Sequence, residues 1–178
     1  MIEQCQCCGS EIRRYKGTFK SGQNYILSQD NRTITKCCDG WNATAIGNEP
    51  ISLGTITIIK FKIEKTNQNS YIMFGIAPQS IDQKLTDAYS KCGWYFNSCN
   101  GGLYCQPPLS YSNFKFINDS LLPEGTIITI IVDTSIGKIS YKINDGLIKT
   151  AYQVTFPESV VPCIMTYTKG DSVRILQN

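Results

Sequence analysis

The chain has 178 residues, of which 42% are hydrophobic and 17% are charged, with a formal net charge of +3 at pH 7. This length predicts one domain, the apolar fraction excludes a disordered chain, and basic residues scattered almost singly argue against nucleic-acid binding. Histidine is absent, which excludes His-based triads, imidazole proton shuttles and most catalytic zinc sites.

The N-terminal segment "CQCCGSE" carries a C-x-x-C pair, Cys5 and Cys8. Such spacing occurs in zinc knuckles, and a four-cysteine site would need Cys37 and Cys38 as its second pair. Because vicinal cysteines rarely bind one tetrahedral ion without strain, we predict free thiols, no metal and no cofactor, and keep zinc as the alternative. The segment lacks the apolar core of a secretory signal peptide, which predicts a cytoplasmic protein.

Short β-rich runs follow along the chain, separated by Gly, Asn, Asp and Pro. In order they are "NYILSQ", "RTITK", "GTITIIKFKIEK", "SYIMFGIA", "GWYFN", "FKFI", "TIITIIVD", "KISYKIN" and "SVRILQ". Turn signals at this spacing predict an all-β fold with little or no helix, an antiparallel β-sandwich or barrel. Residues 80–91 have weak helical character and are predicted to form a loop.

Two of these runs indicate how they lie in the sandwich. After Ile59, Phe61 and Ile63 alternate with Lys60 and Lys62, which predicts a strand with one face on the core and one in solvent. The run "TIITIIVD" is apolar on both faces, so we expect it to lie centrally. It would form a hairpin with "KISYKIN" across the turn "DTSIGK".

This hairpin, "GTIITIIVDTSIGKISYKINDG", resembles the SPRY domain family, in which an apolar strand ends in Asp, turns at Gly and returns through an aromatic strand to Asn-Gly. The segments "ISLGTITIIKFKI", "YIMFGIA", "CGWYFNSCNGG", "AYQV" and "VVPCIMTYTKGDSVRIL" follow the family's order, and the resemblance covers about residues 18–177. It departs from the family at Cys92, where Ser or Gly is usual, and at the inserted Asp145. The resemblance implies a bent, two-sheet antiparallel β-sandwich over residues 18–178, preceded by a Cys-rich leader at 1–17.

Aromatic residues supply the candidate binding surface. Trp94 begins a strand and is predicted to belong to the core, whereas Trp41 and Tyr89 lie in loop-like stretches, where binding residues concentrate. The resemblance points to the same places, since SPRY domains bind peptides or protein surfaces through loops at one end of the sandwich. Carried over by position, the predicted partner-binding residues are Trp41, Asn42, Thr44, Gln79, Asp82, Tyr89, Tyr167, Thr168 and Lys169.

The predicted function is therefore a non-enzymatic protein-interaction module that binds a peptide or loop of a protein partner. The resemblance also implies a targeting arm of a larger protein or a fixed part of a large assembly. Two alternatives stay open: a structural subunit of a cytoskeletal or ciliary assembly, and lectin-like carbohydrate binding. No apolar run approaches the roughly 20 residues that span a bilayer, so no membrane partner is predicted.

Overall fold

The computed structural model describes residues 3–4, 6, 9–20, 22–67, 70–106 and 121–177, and its regular secondary structure consists almost entirely of β-strands. In chain order they are β1 (Glu3–Gln4), β2 (Glu11–Arg14), β3 (Tyr25–Leu27), β4 (Thr33–Lys36), β5 (Ala45–Ile46), β6 (Ile56–Lys65), β7 (Ile72–Pro78), β8 (Gly93–Asn97), β9 (Leu103–Gln106), β10 (Ile127–Asp133), β11 (Lys138–Ile143), β12 (Lys149–Gln153), β13 (Val160–Thr166) and β14 (Ser172–Leu176). A 3-10 helix at Ala88–Ser90 is the one helical element within these ranges. No helix there is long and apolar enough to cross a membrane.

The strands form two sheets, which confirms the predicted all-β sandwich. The larger sheet has the order β12-β11-β10-β6-β14-β4-β3, with β1 and β2 attached beside β6. The smaller sheet has the order β5-β13-β7-β8-β9 and is antiparallel throughout. Among the strands described, β2 with β6 is the one parallel pair. The predicted strand "FKFI" lies outside the described residues.

The N-terminal segment contributes to the larger sheet. Strand β2 lies within the predicted 1–17 leader, yet its Ile12 pairs with Ile56 of β6. The adjacent Tyr15 is buried, and its hydroxyl donates a hydrogen bond to the carbonyl oxygen of Glu49 at 3.0 Å. Residues 11–15 are therefore held by β6 and by the loop that precedes it, while the domain boundary at residue 18 stays a prediction.

Alternation along the strands explains where the core lies. Ile59, Phe61 and Ile63 of β6 are fully buried, whereas Lys60 and Lys62 between them are only partly buried, as the sequence predicts. Strand β10 lies between β6 and β11, and its hairpin with β11 is confirmed by antiparallel pairing of the two strands. The inward faces of the two sheets together bury one large apolar core.

Two buried tyrosines connect the sheets by hydrogen bonds. The Tyr141 hydroxyl on β11 donates to the main-chain carbonyl of Phe74 on β7 at 3.1 Å. The Tyr152 hydroxyl on β12 lies 2.6 Å from the carbonyl oxygen of Tyr95 and 3.0 Å from that of Tyr104. Burial raises the pKa of both phenols, so they stay protonated and able to donate.

A second, smaller core lies on the outer face of the smaller sheet. It contains Met73, Tyr95 and Cys163, and the loop over residues 79–92 packs Ile81 and Leu85 against this cluster. The loop predicted at residues 80–91 therefore covers one face of the sandwich, and the 3-10 helix is its sole regular element among the described residues. This covering layer ends at a pocket.

Candidate partner-binding site

The floor of the pocket is built from outward-facing strand residues of the smaller sheet. On β7, Met73 lies between the core residues Ile72 and Phe74, so its side chain faces outward. Asn97 follows the core residue Phe96 on β8 and faces outward for the same reason. A cavity of about 320 Å³ opens there, lined by Trp41, Tyr71, Met73, Tyr89, Asn97, Asn100, Tyr104 and Tyr167.

Five aromatic rings form the walls of this cavity. Trp41 lies at their centre, with ring centroids 5.1 Å from Tyr89, 5.5 Å from Tyr167 and 6.5 Å from Tyr71. Tyr104 meets Tyr89 at 5.7 Å with an interplanar angle of 90°. The rings are tilted or edge-to-face, which is the arrangement that their quadrupoles favour. They form one continuous group, which we call the aromatic pocket.

Main-chain hydrogen bonds join the three loops that carry Trp41, Tyr89 and Tyr167. The amide of Asp87 donates to the carbonyl of Trp41 at 2.9 Å. The amide of Thr44 donates to the carbonyl of Gln83 at 3.1 Å. The amide of Gly40 donates to the carbonyl of Tyr167 at 2.7 Å. Because each bond links segments distant in sequence, the rings are positioned by the completed fold and not by local structure.

A buried lysine supports the loop that carries Trp41. Lys36, at the end of β4, is 1% exposed, and its ammonium donates a hydrogen bond to Asn42 Oδ1 at 2.7 Å. The same ammonium lies 4.7 Å from the ring centroid of Tyr25, a cation–π contact. Burial lowers the pKa of Lys36. The Asn42 amide in turn donates to Cys38 Sγ at 3.4 Å, which closes the loop on itself.

A buried carboxylate supports the loop that carries Tyr167. Asp171 is fully buried, and its Oδ2 accepts hydrogen bonds from the Ser70 hydroxyl and, at 3.3 Å, from the Thr168 amide. Its Oδ1 has no hydrogen-bond partner among the described residues. Burial raises the pKa of Asp171, since the charged form has lost its water.

Three of the nine predicted partner-binding residues meet in this pocket: Trp41, Tyr89 and Tyr167. Asn42 and Thr44 do not line the cavity. The Asn42 side chain is bound to Lys36, and Thr44 is fully buried. Asn42 therefore helps to position the loop, and that these two residues contact a partner stays a prediction.

The other four predicted residues do not line the aromatic pocket. Thr168 and Lys169 follow Tyr167, and the Lys169 amide donates to Asp39 Oδ1 at 2.7 Å. Gln79 and Asp82 line a separate cavity of about 430 Å³, between the 79–92 loop and the segment that contains Lys20. That the four contact a partner stays a prediction.

Sequence reasoning missed five lining residues: Tyr71, Met73, Asn97, Asn100 and Tyr104. Met73, Asn97 and Tyr104 lie on strands, where the sequence pattern mainly indicates core residues. The signal that finds them is alternation, because each neighbours a side chain that faces the inner core. An outward-facing polar residue directly after a buried Phe, as in "FN" of β8, marks the floor of such a site.

The thiols form no metal centre in the part of the chain that the structure describes. Cys37 and Cys38 are free and half-buried, and no group of three or more His, Cys, Asp or Glu side chains is placed to bind an ion there. Cys5 and Cys8 lie outside the described residues. The zinc alternative, which needs both cysteine pairs, therefore stays untested.

Comparisons with known proteins give one family. Residues 59–177 match the family described as the SPRY domain. The SPRY domain of human HERC1 superposes with a TM-score of 0.70 at 20% identity, covering 89% of this chain and 97% of that chain. The PSpry domain of TRIM65 superposes with a TM-score of 0.64 at 10% identity, covering 93% and 91%. No curated protein matches the sequence. At these identities the two structures show a shared fold.

Proposed function

Because this chain belongs to the SPRY domain family, whose members generally act as non-catalytic protein-interaction modules, we propose that its aromatic pocket captures a peptide or loop of a partner protein. The observation that carries this proposal is the group of five aromatic rings around one cavity. An adaptor or subunit role inside a larger assembly, and a cytoplasmic location, remain predictions from the sequence.

The exposure of the rings supports a binding role. Tyr71 is 40% exposed and Tyr167 is 42% exposed, although both rings pack against Trp41. Tyr and Trp dominate the energetic centres of protein interfaces, because they bury a large area while losing few rotatable bonds. A partner side chain that enters the cavity would remove these faces from water.

The fixed positions of the loops also favour binding. The main-chain bonds of Trp41 with Asp87 and of Tyr167 with Gly40 hold the rings before any partner arrives. Preformed contact surfaces lower the entropy that association costs. No charged side chain and no thiol lines the cavity within the described residues, so the lining offers contact area and hydrogen bonds and lacks an acid–base pair.

The test is a comparison of two double variants in quantitative affinity capture. Tyr71→Ala with Tyr167→Ala removes two half-exposed rings from the pocket, while Ile26→Ala with Ile136→Ala removes comparably exposed apolar side chains elsewhere. Circular dichroism confirms that both variants fold. Proteins enriched by the wild type are quantified by mass spectrometry, and binding of the purified partner is then measured by calorimetry.

We expect the pocket variant to lose the partner and the control variant to keep it. Equal retention by both variants would place the interaction on another surface and would rule out the aromatic pocket. Loss by both would point to a partner that contacts the exposed apolar residues generally.

A further inference from the structure

We propose that Asn97 sets the chemical preference of the aromatic pocket, by donating a hydrogen bond from its side-chain amide to a neutral carbonyl oxygen of the partner polypeptide. This inference rests on the proposed function, because it names the group that the pocket receives. It assigns the decisive polar contact to a residue of the pocket floor and leaves the rings as apolar walls.

Asn97 carries an unused donor in a buried position. The residue is 2% exposed, yet it lines the cavity. Its Oδ1 accepts a hydrogen bond from the Cys99 amide at 2.8 Å, which fixes the orientation of the side-chain amide. The Nδ2 group on the opposite side donates to no residue that the structure describes. This nitrogen is not one of the fully buried, unpaired side-chain atoms of the described residues, so it can be reached from the cavity that Asn97 lines.

The side-chain amide of Asn100, the second polar group of the floor, already has hydrogen-bond partners at both its oxygen and its nitrogen. Asn100 Oδ1 accepts from the Gly102 amide at 2.8 Å, and Asn100 Nδ2 donates to the Tyr104 hydroxyl oxygen at 3.0 Å. Since that oxygen acts as an acceptor, the Tyr104 hydroxyl keeps its own proton for another acceptor. Asn97 on the floor and the Tyr104 hydroxyl on the wall are therefore both able to donate to an acceptor in the cavity.

The charges around the cavity select a neutral acceptor. A carboxylate entering the pocket would lose its water without meeting a cation, because no charged side chain lines the cavity among the described residues. An ammonium group would be attracted by the ring faces but would meet the N–H groups of Asn97 and no carboxylate. An amide carbonyl satisfies the unused donor, and its flat group packs against aromatic rings.

A neutral amide carbonyl occurs in two parts of a polypeptide, the main chain and the side-chain carboxamides of Asn and Gln. Acetamide is a probe for the side-chain group and N-methylacetamide is a probe for the main chain. Acetate and tetramethylammonium are probes of similar size that carry a negative and a positive charge. Each is titrated at equal ionic strength into the full chain labelled with ¹⁵N, and the side-chain NH₂ signals of Asn97 and the indole signal of Trp41 are followed.

We expect one or both amides to shift the Asn97 NH₂ signals saturably, while acetate and tetramethylammonium leave them unchanged. The amide that binds tighter identifies the source of the carbonyl. Asn97→Asp keeps an oxygen for the Cys99 amide and removes both donors, so amide binding should weaken about tenfold, as expected for one lost hydrogen bond. The wild-type titrations need no variant and decide the question even if Asn97→Asp fails to fold.

Two results would overturn this inference. Tighter binding of tetramethylammonium than of the amides would make the pocket a cation-binding aromatic cage. Unchanged Asn97 signals with all four probes would show that its donor does not face a ligand. Neither result touches the affinity capture with the Tyr71 and Tyr167 variant, so the pocket can fail as an amide site and still stand as a partner site, or the reverse.

Discussion

The hydroxyl of Tyr152 and the main-chain carbonyl of Tyr95 are 2.6 Å apart, so a residue of the edge strand β12 is bonded to the interior strand β8 of the opposite sheet. Strand β8 ends at Asn97, and its neighbour β9 carries Tyr104, whose carbonyl lies 3.0 Å from the same hydroxyl. This bond therefore anchors the floor of the aromatic pocket to the larger sheet from behind.

Replacing Tyr152 with Phe keeps the ring and removes the hydroxyl. We expect the free energy of unfolding to fall by about 1 kcal/mol, because a buried hydrogen bond contributes roughly that much and two carbonyls lose a donor. Urea denaturation measures the change. Tyr71→Phe is the matched control and should change stability little, since Tyr71 is 40% exposed. Equal effects of the two substitutions would contradict this account.

Gly75 on β7 should tolerate no side chain. A Cβ there would lie 2.5 Å from the carbonyl oxygen of Trp94 and would also overlap the ring of Tyr95. Gly75→Ala is therefore expected to lower the free energy of unfolding by about 3 kcal/mol, as overpacking of a dense core does. Gly22→Ala is the control, because the nearest atom to its added Cβ would be 3.8 Å away. Thermal denaturation should therefore show a lower melting temperature for Gly75→Ala and an unchanged one for Gly22→Ala. A normal melting temperature for both variants would refute the close packing described.

Trp41 should control the mobility of the loops around the pocket. Trp41→Ala removes ring contacts with Tyr89 and Tyr167, and aromatic pairs of this kind contribute about 0.5–1.5 kcal/mol each. We expect the amides of Asp87 and Thr44 to exchange with deuterium about tenfold faster, while those of the β10–β11 hairpin keep their rates. Trp41→Phe should restore most of the protection. Uniform acceleration over the whole domain would indicate global destabilisation instead.

Asp171 should make stability depend on pH. Because burial raises its pKa in the folded state, the folded chain holds this proton more tightly than the unfolded chain does. Its contribution to stability is therefore complete below about pH 4, the ordinary range of an aspartate, and is lost as the pH rises through the folded-state pKa.

Asp171→Asn removes this dependence, since the amide oxygen still accepts from Ser70 and Thr168 but carries no charge. Urea denaturation at pH 3, 5 and 7 should show the variant gaining stability relative to the wild type as the pH rises. If the wild type instead gained stability relative to the variant as the pH rises, the nearby Lys36 ammonium would stabilise the carboxylate more than burial destabilises it.

The sheets were predictable because their signal is local. Alternation of Phe61 and Ile63 with lysines identifies one face of β6 without any knowledge of its neighbours, and the apolar run of β10 indicates a central position. Glu11–Arg14 carries a single apolar residue, Ile12, so no local pattern could show that it pairs with β6. Strand order likewise depends on pairing between distant segments.

The pocket was predictable only in part, for a related physical reason. Trp41 and Tyr89 lie in long loops, and loop aromatics are evident from sequence alone. That they meet Tyr71 and Tyr104 depends on the register of β7, β8 and β9 and on hydrogen bonds such as that from Asp87 to Trp41. Asn97 was missed because its unused donor becomes evident only when the hydrogen bonds of its neighbours are known.

The position of β14 affects when, during synthesis, the aromatic pocket can be completed. This strand lies between β6 and β4, so the larger sheet has a gap in its interior until residues 172–176 have left the ribosome. Tyr167, Asp171 and the bond from Gly40 all belong to the turn that leads into β14. A nascent chain that stops before Ser172 thus carries all five rings but lacks the strand that holds the Tyr167 turn in the larger sheet, so we expect the proposed partner capture to begin only with the finished strand.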